Sequence, residues 1–290
     1  MRVKPRRRLL GRANNRSLLQ AGLFLAFAVL SAAVANSAQS DTLQVDGLAV
    51  DQVVIQGDVE VEIRQGNEGS MRILGDQSDL EKQPFFTRGN ILFLGVSREY
   101  PREYFDDLKF KLTVKALTQV QLEGSGEVFV RPVQTDRLIA LLEGSGDIKL
   151  YDVDAMVVKL SMSGSGDLSA ARVKAQEVQL TISGSGDLDV GKLQARHLEA
   201  TISGSGDISL QRAQEPGQTL EVNLAGSGDI DLASFDPVSA KVNIAGSGDV
   251  TMGEVQALEV NIMGSGVVSY KGQPKIESNL LGSGGPVQRQ

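Results

Sequence analysis

The 290-residue chain has no cysteine, no tryptophan and a single histidine, and aromatic residues make up only 4% of it. Without cysteine there can be no disulfide framework, iron-sulfur cluster, thiolate nucleophile or Cys-ligated zinc. His197 alone cannot build a multi-histidine metal centre. The 32 glycines sit beside an ordinary 41% of apolar residues, so the chain has the material for a core and is not a disordered polymer.

Acidic residues are missing altogether from residues 1–35, whose seven charges are Arg2, Lys4, Arg6, Arg7, Arg8, Arg12 and Arg16. The other 22 of the 29 basic residues face all 36 acidic ones, leaving the body with 14 excess negative charges. Such a body repels phosphate backbones and disfavours nucleic acid as a partner. The basic stretch leads into an apolar run from Leu18 to Ala35, and Ala33-Val34-Ala35 fits a signal-cleavage pattern. Residues 1–35 are therefore expected to be a signal peptide cut after Ala35, with an uncleaved anchor as the alternative and the membrane touched only through that segment. Arg6-Arg7-Arg8-Leu9-Leu10 faintly suggests twin-arginine export, and no cysteine follows the signal to carry a lipid. The expected location is the periplasm or bacterial cell surface.

Beyond the signal the chain repeats itself. Gly-Ser-Gly begins at Gly124, Gly144, Gly164, Gly184, Gly204, Gly226, Gly246, Gly264 and Gly282. An acid follows as Asp147, Asp167, Asp187, Asp207, Asp229 and Asp249, with Glu127 in the first copy. Each triplet is preceded by alternating apolar residues, such as Val178, Leu180, Ile182 or Leu198, Ala200, Ile202, and alternation resumes after it, as in Leu188 and Val190. Period two means strands with one buried face. Twenty residues hold short strands but no ordinary packed helix, and a unit that small buries its apolar face only by stacking on its neighbours. The expected fold is all-β: a parallel β-helix, right-handed because parallel crossovers take that hand. Nine turns at about 4.8 Å each make a rod on the order of 40 Å long. A β-propeller blade needs about twice that repeat length.

At the corners, Gly144, Gly164, Gly184, Gly204, Gly226 and Gly246 are expected to supply positive φ or close backbone approach, and the serines a hydroxyl for the turn backbone. An outward column ends in Asn223, Asn243 and Asn261, whose amides can bond along the rod axis. Residues 121–290 form the regular repeats. Residues 36–120 lack the triplet and hold seven aromatics between Phe85 and Phe110, which suggests an N-terminal β cap and irregular first coils. The far end, from Pro286, is short and polar.

The repeated Ser-Gly-Ser-Gly-Asp, the segment Gly57-Asp58-Val59-Glu60-Val61, and Tyr270-Lys271-Gly272-Gln273-Pro274 followed by Gly282-Ser283-Gly284 resemble the “putative auto-transporter adhesin, head GIN domain” family of bacterial envelope proteins. The resemblance covers residues 45–288 as one domain. It implies a β-helical fold, export and an adhesive role, with no catalytic residues to carry over. Glu127, Val267 and Gly285 depart from the pattern, and no membrane-translocating barrel is expected within these 290 residues.

The chemistry reduces to two classes. The first is a non-catalytic, adhesin-like or structural envelope module, without cofactor, that presents a face to glycan or protein and can self-associate through the solenoid ends or a flat face. The second is a polysaccharide lyase or hydrolase, which needs two carboxylates in distinct environments; repeated acids are equivalent. His197 lies in a return segment, not in a triad. A weaker variant of the first class is calcium-dependent adhesion at Asp187 and Asp207, although one acid per turn offers few oxygen ligands. The one non-repeated polar cluster is the loop 97–107, where Arg98, Tyr100, Arg102 and Tyr104 are candidate binding residues.

Overall fold

A computed structural model describes residues 41–283 and 288–289; the expected export segment lies outside the described residues. The fold is a parallel β-solenoid of about eight turns at roughly 20-residue spacing, and 67% of the described residues are strand. That is fewer than the nine turns expected from the triplets; the last triplet, at Gly282, follows the final long strand, Lys275–Leu281, and among the described residues only Gln288–Arg289 pairs beyond it.

One coil shows how sequence makes the layers. In residues 177–196 the inward side chains are Val178, Leu180 and Ile182, then Leu188 and Val190, then Leu193 and Ala195, all buried. Alternation breaks at Gly184-Ser185-Gly186 and again at Gly191-Lys192, so the coil has three short faces around one apolar core. Strands ahead of the triplet, such as Glu177–Gly184 and His197–Gly204, stack into a first sheet. Strands after it, such as Asp167–Lys174 and Leu188–Gln194, stack into a second sheet that bends to make the third face. The register is strict: Ile182 pairs with Ile202, Ile202 with Leu224, and Leu224 with Ile244. These columns merge into one cluster from Val50 to Tyr270, which is what couples otherwise marginal coils.

Phe235 departs from the pattern. The coil ending at Gly226 is two residues longer than its neighbours, and a Cβ on Gly217 would fall inside the Phe235 ring. The fully buried ring fills that coil in place of the small Ala175 and Ala195 of earlier ones.

At the N-terminal end, chain order and stacking order differ. The first half of strand Gln52–Gln65 lies between Ile91–Leu94 and Gln119–Gly124, and its second half between Asp106–Val114 and Glu127–Val130. The coil formed by residues 91–114 therefore lies outside the one that precedes it in sequence. Beyond it Ser70–Gly75 and Asp41–Asp46 continue the second sheet antiparallel, and Phe85–Arg88 does the same for the first. Helix Gln77–Glu81 buries Leu80 against this end. The edge is thus a short, charge-flanked strand, Asp-Thr-Leu-Gln-Val-Asp, in place of an open parallel template.

Candidate functional site

The triplet corners form one column along the rod. Gly204 has φ +146° and Gly206 does not share that conformation, yet a Cβ on either would overlap the carbonyl oxygen of Gly184 or Gly186 one coil below. The first glycine is required by backbone conformation and close approach, the second by close approach alone. Ser205 donates its backbone N–H to Gly184 O at 2.9 Å, and Ser185 and Ser227 do likewise. The expected bond from serine hydroxyl to turn backbone is not formed among the described residues. The hydroxyls face solvent, and the carbonyl they would reach is already taken by the serine N–H.

The acid column divides in two. At Asp147 the backbone N–H pairs with Gly126 O at 3.0 Å. From Asp187 onward the carboxylate is the acceptor: Asp229 N donates to Asp207 Oδ1 at 2.7 Å, Asp249 N to Asp229 Oδ1 at 2.8 Å, and Val267 N to Asp249 Oδ1 at 2.8 Å. Each Asp from Asp187 to Asp249 thus bonds the backbone of the next coil. Charge-assisted bonds of this kind offset the repulsion of about 1 kcal/mol expected between neighbouring carboxylates in water. Among the described residues no three His, Asp or Glu side chains converge as a metal-ligand set.

The first sheet's outer face carries the other ladder. Asn243 Nδ2 donates to Asn223 Oδ1 at 2.9 Å, and Asn261 Nδ2 to Asn243 Oδ1 at 3.0 Å. An amide has two N–H groups and two lone pairs. The ladder uses one of each at Asn243, so this half-buried amide keeps a second donor and a second acceptor. Beside it runs a column that is Glu123 and Glu143 in the early coils, serine at Ser163, Ser183 and Ser203, and then becomes Ala225, Ala245, Met263 and Leu281. Both columns change in the same coil, where Thr201 gives way to Asn223 and Ser203 to Ala225. The result is a groove of about 370 Å³ with an amide side and an apolar side. Asn279, Ala225, Ala245, Met263 and Leu281 complete it and are not marked by the triplet. The switch from serine to alanine just ahead of the glycine is the signal that could have found them.

The remaining expected positions are dispersed. Arg98, Tyr100, Arg102 and Tyr104 are all exposed on the loop at the capped end, with Tyr104 93% exposed. Buried Ser97 pins the base of the loop by donating its hydroxyl to Lys82 O at 2.6 Å, and Lys82 pairs with Glu103 at 3.3 Å. This loop and the Asn groove lie at opposite ends of the stack and do not form one site. His197 opens a first-sheet strand, exposed, with Nδ1 2.8 Å from Thr219 Oγ1. Near the cap, hydrogen bonds from Arg64 and then Arg131 hold the Glu62 carboxyl below its ordinary range. Arg131 also stacks over Tyr151, 4.5 Å from the ring centroid.

The family model for “Putative auto-transporter adhesin, head GIN domain” matches residues 49–216 and 216–274. The chain belongs to this head GIN domain family. Solved structures share the β-solenoid fold. A protein of Parabacteroides merdae named a “putative adhesin” is 17% identical with a TM-score of 0.66, covering 88% of this chain and 97% of its own. One of Parabacteroides distasonis named a “putative lipid binding protein” is 22% identical with a TM-score of 0.62, covering 88% and 98%. A second P. distasonis protein, named a “putative adhesin”, is 18% identical with a TM-score of 0.63, covering 84% and 94%. No curated protein matches the chain.

Proposed function

We propose that this GIN-domain protein is an exported, non-catalytic binding module of the bacterial envelope that engages glycan chains along the outer face of its first sheet. The observation that carries this reading is the paired change of columns from Asn223 and Ala225 onward, which sets a ladder of amides, with a spare donor and acceptor at Asn243, beside an apolar strip at strand spacing. Sugar rings present hydroxyl pairs at their edges and C–H surfaces on their faces. A side-chain amide matches an adjacent hydroxyl pair with one donor and one acceptor, and Ala and Met surfaces accept the ring face. Repetition along the rod suits a polymer, since each repeat adds a weak contact and the sum gives avidity. The adhesin family fits this role and an envelope location. The acids do not favour the hydrolase reading: from Asp207 to Asp249 they share one environment and one backbone partner type, where hydrolysis calls for two carboxylates held differently.

Binding of the protein to a glycan array, run beside an activity screen on acidic and neutral polysaccharides, tests the reading. Retention of at least one glycan class without turnover is expected. Depolymerisation of any polysaccharide would move the protein to the enzyme class, and binding to proteins alone would move the ligand.

A further inference from the structure

The two ends of the solenoid are finished differently. The head is closed by antiparallel strands, and at the tail the second sheet receives Gln288–Arg289 beside Ser269 and Tyr270. The first sheet's last strand, Lys275–Leu281, pairs with Ala257–Gly264 on one side and with no described strand on the other, and all seven of its residues are exposed. Its inward positions continue the core columns: Ile276 lies beside Leu258, Ser278 beside Val260, and Leu280 beside Ile262. Those three neighbours are buried, whereas Ile276 is 39% and Leu280 45% exposed. Edge strands are normally blunted by an inward charge, a proline or a bulge. Here the inward positions carry none of these, Lys275 and Glu277 point outward, and Pro274 precedes the strand.

We propose that the protein dimerises tail to tail, two copies pairing Lys275–Leu281 antiparallel about a two-fold axis through Ser278. The strand is self-complementary in this register and in no neighbouring one. Opposite residues of an antiparallel pair share a face, so inward positions must meet inward positions. With Ser278 opposite its own copy, all seven residues pair, Ile276 meets Leu280 twice inside, and Glu277 meets Asn279 twice outside. A shift one way sets Glu277 against Glu277. A shift the other way sets Ile276 opposite Gly282, beyond the end of the strand, where it meets no side chain. The axis is perpendicular to the sheet, so the two cores join and the outer faces stay on one side. The interface is isologous, the type that closes at two copies. Two Asn grooves then lie in line, although the dimer rests on the open end and not on the glycan reading.

The chain has no cysteine, so Ser278→Cys introduces the only thiol. Under mild oxidation the full-length variant should form a disulfide-linked dimer, while Asn223→Cys should not. Sedimentation velocity on the otherwise native chain should show a dimer, lost in Leu280→Lys and retained in Val45→Lys at the head edge. A monomeric native chain, or absence of a Ser278→Cys cross-link, would overturn the proposal. If Leu280→Lys fails to fold, the cross-link in Ser278→Cys decides alone.

Discussion

Ile202 is fully buried between Ile182 and Leu224, while its neighbour Ser203 faces solvent. Replacing Ile202 with alanine removes three carbons from the middle of an interior column. At about 0.8 kcal/mol per buried methylene, transfer alone costs roughly 2.4 kcal/mol. The strands above and below are fixed by their ladders and cannot collapse inward, so a cavity term adds to this, and a total of about 3–4 kcal/mol is expected, within the usual range for Ile→Ala. Ser203→Ala should stay within about 0.5 kcal/mol, the range of ordinary surface substitutions. Urea melts followed by circular dichroism measure both. Equal losses at the two positions would refute the inward and outward assignment, and with it the three-faced core.

Gly204→Val should destabilise more than Ser205→Val in the same melts, because only the glycine combines φ +146° with contact against the coil below; the reverse order would place the turn's stability in the serine. For the Asp column, chelator should leave Tm unchanged and sodium chloride should raise it modestly by screening. Saturable calcium binding that disappears on combining Asp187→Asn with Asp207→Asn would overturn that view. Glu62 has a folded pKa below its ordinary 4.5, so its pairing stabilises the fold above about that pH, and the contribution disappears as pH falls through the lowered value. The Tm gap between native chain and Glu62→Gln should therefore close on acidification below pH 4.5; a gap that widens would assign Glu62 another role.

The solenoid was legible because its register is written locally. Each Gly-Ser-Gly marks a corner, and the alternation on either side fixes which residues stack, so Ile182, Ile202, Leu224 and Ile244 could be aligned from spacing alone. The capped end was legible only as a break in the pattern. Its stacking order depends on long-range pairing of Gln52–Gln65 with Ile91–Leu94 and Asp106–Val114, and no local feature encodes that order. Phe235 was hidden for a related reason, since its place depends on Gly217 being empty one coil earlier. At the site, the Asn ladder was visible as an outward column, but the apolar side of the groove was not. Ala225 and Ala245 read as ordinary small residues until the register stacked them into one column beside the asparagines and in line with Met263. The tail was read as short and polar from its last residues, whereas the strand just ahead of it exposes Ile276 and Leu280, which continue core columns that no described strand covers, and Leu281, which continues the outward groove column.

The most direct test of glycan binding by the first sheet is a calorimetric titration of the native chain and Ala245→Glu with the best glycan from an array. Residue 245 is exposed in the middle of the groove and touches no core column, so the variant should keep its Tm while a bulky charge obstructs the apolar strip. The account predicts measurable affinity for the native chain and at least a tenfold loss in Ala245→Glu, about 1.4 kcal/mol, with Tyr104→Ala on the distant loop unchanged. Undiminished binding by Ala245→Glu, or loss of binding in Tyr104→Ala instead, would contradict it.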